Sequence, residues 1–162
     1  MKKRILLAGI ITCFTLIAAG CSSSASNETS AKDVDLNDVY TKITETVTLP
    51  DDMSEISESE LTSLYGIDMD EVKQYAGSIT MVSTSSDEII MLEATDSNAA
   101  ADLKEKVDNR YEAKLNEMRD YLPDEFEKIN ACSVYSEGNY VAMFVSDDSA
   151  TMTEIFTEAI GK

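Results

Sequence analysis

Residues 79–123 read ITMVSTSSDEIIMLEATDSNAAADLKEKVDNRYEAKLNEMRDYLP, and this stretch decides the fold. Two β-rich runs, Ile79–Ser83 and Glu88–Ala94, flank Thr84, Ser85, Ser86 and Asp87. That is the composition of a hairpin. From Asp96 to Tyr121 the period changes. Leu103, Val107, Tyr111, Leu115, Met118 and Leu122 recur at helical spacing, and Pro123 follows just beyond. Apolar residues three and four apart line one side of a helix, and a proline ends it. The unit is strand-strand-helix.

Downstream the order repeats. Ala131–Ser136 and Tyr140–Ser146 read as strands joined by Glu137, Gly138 and Asn139. A helix opens near Asp147 or Asp148, with Met152, Ile155, Phe156 and Ala159 as its core side. A carboxylate there can cap free backbone N–H groups. Upstream, Leu36, Val39, Tyr40, Ile43 and Val47 predict an amphipathic helix that Pro50 ends, because the residue before proline leaves helical geometry. Ser57–Tyr65 and Met69–Tyr75 predict two shorter helices. The expectation is an α+β domain: N-terminal short helices, then two strand-strand-helix units forming a four-stranded, mostly antiparallel sheet covered on one face by helices.

The N-terminus reads as an address. Lys2, Lys3 and Arg4 precede an apolar run from Ile5 to Ala19, and Ala18, Ala19, Gly20 and Cys21 follow. About fifteen residues are too few for a membrane-spanning helix and suit the hydrophobic region of an export signal. The small residues before Cys21 look like a lipobox, in which the cysteine takes a lipid and cleavage occurs before it. This divides the chain into a removed signal peptide at 1–20, a lipidated Cys21 with a polar tether to residue 34, and one acidic domain at 35–162. The expected location is the extracytoplasmic face of the cell membrane, attached by lipid.

Charge and cysteine narrow the function. The chain carries 31 Asp and Glu against 13 Lys and Arg, a net charge of −18, and loss of the signal removes only basic residues. Such a chain does not suit a phosphate backbone, which excludes nucleic acid as the expected partner. Without Cys13 and Cys21, Cys132 stands alone, so no disulfide framework is expected. The alternating stretch around it points to a small buried hydrophobe. There is no histidine to activate a serine or cysteine and no tryptophan to serve as a sugar platform.

Several short elements resemble, in order, a family of Gram-positive lipoproteins known only as domain of unknown function 4358. They are Leu49-Pro50, Leu64-Tyr65-Gly66-Ile67, Asp87-Glu88-Ile89, Arg110, Tyr121-Leu122-Pro123 and Gly138-Asn139-Tyr140-Val141. The resemblance spans roughly residues 36–160. It implies a lipoprotein domain and names no catalytic residue.

Two clusters remain as candidate sites. Residues 33–72 hold twelve Asp or Glu and one base, Lys42. Clustered carboxylates can bind calcium, although no glycine-punctuated calcium loop is present, and a solvated acidic face is the plainer reading. No cofactor and no metal ligand is assigned. Lys106, Arg110 and Lys114 are spaced by four and share one side of the long helix. This stripe would recognise a protein or an anionic cell-wall polymer, or would neutralise the domain's own acidic segment. The expectation is therefore a non-enzymatic binding or assembly module. The alternatives are a calcium-responsive surface domain and an acid–base hydrolase using paired carboxylates.

Overall fold

In a computed structural model, residues 34–162 can be described. The expected signal peptide, Cys21 and nearly all of the expected tether lie outside them. Among the described residues no helix is long and apolar enough to cross a membrane.

The chain runs α1 (Leu36–Thr46), β1 (Met53–Glu55), α2 (Glu58–Glu60) leading into a π turn (Leu61–Tyr65), and a 3₁₀ turn (Met69–Glu71). Then come β2 (Val72–Thr80), β3 (Glu88–Ala94), α3 (Ser97–Arg119), α4 (Pro123–Asn130), β4 (Val134–Glu137), β5 (Tyr140–Val145) and α5 (Ser149–Ala159). The sheet order is β1-β2-β3-β5-β4 and every pairing is antiparallel.

The α+β class and the presence of two hairpins stand as expected, with several corrections. The sheet has five strands rather than four, because Met53–Glu55 adds an edge strand to the end of β2. The helix expected over 69–75 is a single 3₁₀ turn, and the strand expected over 79–83 is instead β2 from Val72 to Thr80, with 81–83 in the loop. Residues 123–130 form α4, with Pro123 in its first turn, where the missing N–H has no helical partner to lose.

Helices also cover both faces of the sheet rather than one. Alternation along β3 sends Ile90, Leu92 and Ala94 to one side, against Leu103, Val107 and Met118 of α3 and Ile129 of α4. Ile89 and Met91 point the other way, onto Leu36, Val39 and Ile43 of α1 and Met152, Ile155 and Phe156 of α5. Every residue of β3 and β5 is buried. A strand enclosed on both faces reads as a continuous apolar run, as Ile89–Leu92 and Val141–Val145 do.

Local chemistry sets the ends of these elements. Asp35 and Asp96 cap α1 and α3 by accepting backbone N–H groups, and Ser57 and Glu60 form a reciprocal capping box on α2. Gly66, at φ +69°, closes the π turn in the left-handed region. Val34, read as tether in the sequence, is buried, and its carbonyl accepts a hydrogen bond from the Gln74 side chain at 2.6 Å. Val34 therefore packs with the domain rather than standing apart from it.

Candidate functional site

Two places on β2 and β3 could do chemistry or binding: a buried charge centre under α3 and an open cleft along the outer edge of β2.

The centre is built on Glu88, the first residue of β3. It points to the α3 side, in register with Ile79 of β2 and Val145 of β5, and is fully buried. A buried carboxylate is tolerated only when partners satisfy it. Here its four acceptor positions are all taken. Arg110 forks onto it, Nε to Oε1 at 3.0 Å and an Nη to Oε2 at 2.8 Å. Lys114 Nζ donates to Oε2 at 2.7 Å, and the Tyr65 hydroxyl donates to Oε1. The Arg110 guanidinium also stands 5.7 Å from the centroid of the Tyr65 ring. No buried side-chain polar atom among the described residues lacks a partner.

Electrostatics follow from this geometry. Burial works to raise the Glu88 pKa, but the bonds and charges of Arg110 and Lys114 outweigh it and hold the carboxyl below its usual range. Burial, together with the Glu88 charge, pushes the Tyr65 hydroxyl well above the ordinary tyrosine value. Tyr65 is therefore a fixed donor, and Glu88 a fixed anion.

This centre accounts for most of the cationic stripe. Lys114 is only 7% exposed, Arg110 is largely covered, and both are spent on Glu88. Lys106 bonds Glu71 at 2.8 Å, in the acidic N-terminal segment. The three residues do share a side of α3, and all three turn to carboxylates of the same domain. Sequence reasoning missed Glu88 and Tyr65 as their partners. Tyr65, Glu88 and Arg110, quoted separately in the family resemblance, meet here at one carboxylate.

The cleft lies where β1 stops. β1 pairs with only the last three residues of β2, from Ser78 to Thr80. Beyond it a cavity of about 490 Å³ opens, walled by Asn37 and Tyr40 of α1 on one side and by Ile56 and Met69 on the other. Its floor is β2 from Val72 to Gly77, and Glu55 and Glu58 stand at its rim, both exposed. The volume is in the ordinary range for ligand sites.

Hydrogen-bond parity shows what this floor offers. The Thr80 N–H donates to the Asp87 carbonyl at 3.1 Å, so alternate residues Thr80, Ser78, Ala76 and Gln74 turn their backbone groups to β3. The intervening residues face outward. Gly77 does so and accepts from Ile56 N–H at 3.1 Å. Tyr75, two residues earlier, turns its N–H and C=O toward the cleft, where β1 does not reach.

Other predicted residues are placed as follows. Cys132 is buried, with its thiol donating to the Lys128 carbonyl, although it lies in the turn before β4, which starts only at Val134. Among the described residues no group of three or more His, Cys, Asp or Glu side chains converges to hold a metal ion. Cys21 lies outside the described residues.

The chain belongs to the family described as Domain of unknown function (DUF4358), which matches residues 45–146. The matched stretch holds the whole Glu88 centre and the sheet. It leaves out α5 and nearly all of α1, including the cleft residues Asn37 and Tyr40. No curated protein and no solved structure matches the chain.

Proposed function

We propose that this member of the DUF4358 family is a lipid-anchored, non-enzymatic binding or assembly module on the extracytoplasmic face of the cell membrane, and that it holds a protein partner in the β2 cleft. The observation that carries the binding reading is the cleft itself: a cavity of about 490 Å³ beside a strand edge that β1 leaves uncovered. The anchor rests on the basic and apolar stretch before Cys21. A protein partner is favoured over an anionic cell-wall polymer on charge. The stripe that would have attracted a polyanion is occupied internally, and the cleft rim carries Glu55 and Glu58.

Photo-crosslinking in living cells tests this. A photoreactive amino acid replaces Tyr40 at the cleft, or Lys106 on the stripe, in the full-length protein. The expected result is a specific adduct from position 40, none from position 106, and recovery of the protein with membranes unless Cys21 is changed to Ser. Adducts confined to position 106 would move the interface to the stripe. A Cys21→Ser protein still held in the membrane would remove the lipid anchor.

A further inference from the structure

We infer that the β2 cleft takes a short extended polypeptide segment as an added strand, hydrogen-bonded at Tyr75 and carrying Lys or Arg side chains toward Glu55 and Glu58. The inference rests on the reading of this chain as a binding module that uses this cleft, and it names the class of partner.

The backbone makes the first part of the case. β2 has nine residues, and β1 pairs with three of them. Outward-facing positions alternate along the strand: Ile79 and Gly77 lie within reach of the β1 segment, and Tyr75 comes next in the series. An incoming strand following the line of β1, antiparallel to β2, would meet both the N–H and the C=O of Tyr75. A donor and an acceptor presented together on a strand edge are matched by another peptide backbone. This is the chemistry of strand addition, in which main-chain bonds give affinity and flanking pockets read alternate side chains.

The fold also prevents β1 from covering this edge itself. After Ile56 the chain turns away into α2, fixed by the capping box of Ser57 and Glu60. The walls then provide the flanking surfaces. Tyr40 and Asn37 line one side of the β2 edge, and Ile56 and Met69 the other, so an extended chain would place successive side chains against α1 and against the 3₁₀ turn alternately.

Charge makes the second part. Lys73, at the floor, is bonded to the buried Glu93 at 2.8 Å, so its charge is already matched. Glu55 and Glu58 form no ion pair among the described residues. The rim is therefore complementary to a basic segment and repels an acidic one.

The test uses the full chain in detergent micelles and three capped heptapeptides: alternating Lys and Val, the same peptide N-methylated at every residue, and alternating Glu and Val. Titration calorimetry is expected to detect the Lys–Val peptide, with binding roughly tenfold weaker or worse for the other two. Tyr75→Pro, which removes the outward N–H, is expected to lose binding to the same extent. Tyr75→Ala, which loses the ring alone, keeps most of it. Equal binding of the N-methylated peptide would overturn strand addition without relying on any variant's folding. Undiminished binding to a folded Tyr75→Pro protein, or no binding of the Lys–Val peptide, would also overturn it. A position-40 crosslink in cells alongside such a failure leaves the module intact and removes only strand addition. Loss of both removes the module reading as well.

Discussion

Glu88 and Tyr75 stand on neighbouring strands, and their polar groups are treated in opposite ways. Glu88 is sealed under α3 with two cations and a hydroxyl filling its acceptor positions. Tyr75, toward the other end of the hairpin, turns a backbone donor and acceptor into an open cleft. The first arrangement is closed to partners and holds the fold together. The second is left open at the strand edge, where the proposed partner would bind. A cationic stripe read from sequence alone looks like the binding surface, yet in the folded chain it belongs to the closed region.

The comparison predicts effects of very different size. Glu88→Ala leaves Arg110 and Lys114 without their carboxylate beneath α3. Breaking a buried ion pair from one side costs about 3–5 kcal/mol, so urea unfolding should show a loss of that order, or no stable fold. A loss below about 1 kcal/mol would mean that the centre is wetter than its burial implies.

Acid should act through the same group more gradually. The folded Glu88 pKa lies below the unfolded one, so the native state binds fewer protons across that interval. Its stabilisation is therefore present above the ordinary carboxylate range and is lost as pH falls through the depressed value. Thermal melts of wild type and Glu88→Gln should converge as pH falls below about 4, since the variant has no such proton to take up. Parallel curves would place the acid response elsewhere among the many carboxylates.

At the open edge the stability effects shrink. Tyr75→Ala and Tyr75→Pro both lose a half-buried ring, and only proline also loses the N–H. Because that N–H faces away from β3, proline removes no ladder bond, and the two variants should differ by about 1 kcal/mol or less in urea unfolding, the difference reflecting proline's fixed φ. A much less stable proline variant would show that the N–H serves the fold. The smallest effect belongs to Glu55→Lys with Glu58→Lys. These exposed changes should leave stability within about 0.5 kcal/mol while abolishing Lys–Val peptide binding.

Much of this fold was legible in the sequence. The existence of a hairpin before α3, its second strand at Glu88–Ala94, the span of α3 and the Gly138 turn follow from period and turn chemistry, whereas the first strand lies at Val72–Thr80, displaced from the expected Ile79–Ser83. The burial of β3 and β5 on both faces was legible too, in the unbroken runs Ile89–Leu92 and Val141–Val145, but helices were expected on one face only. β1 escaped because three residues give no period, and α4 because its eight residues begin at a proline that reads equally as a stop.

The charge centre was half legible. Lys114 lies seven residues after Val107, and a heptad drifts only about 20° around a helix, so Lys114 falls on the same buried stripe as Val107. A lysine on a buried stripe signals an internal partner, whereas Lys106, eight residues before it, lies farther round the helix. Its carboxylate could not be named from sequence, because Glu88 meets α3 only through the register of β3. The cleft was not legible at all. It exists because β1 is short, and one of its walls comes from α1, more than thirty residues before Tyr75.

Amide hydrogen exchange at residues 74–76 of the full chain tests the account most directly, because it compares inward and outward backbone groups on a single strand. The account predicts slow exchange at Gln74 and Ala76, whose N–H groups face β3, and fast exchange at Tyr75 between them. Adding the Lys–Val peptide should then slow Tyr75 alone. Tyr75 already as slow as its neighbours without peptide would mean that the edge is covered, contradicting the open-cleft account.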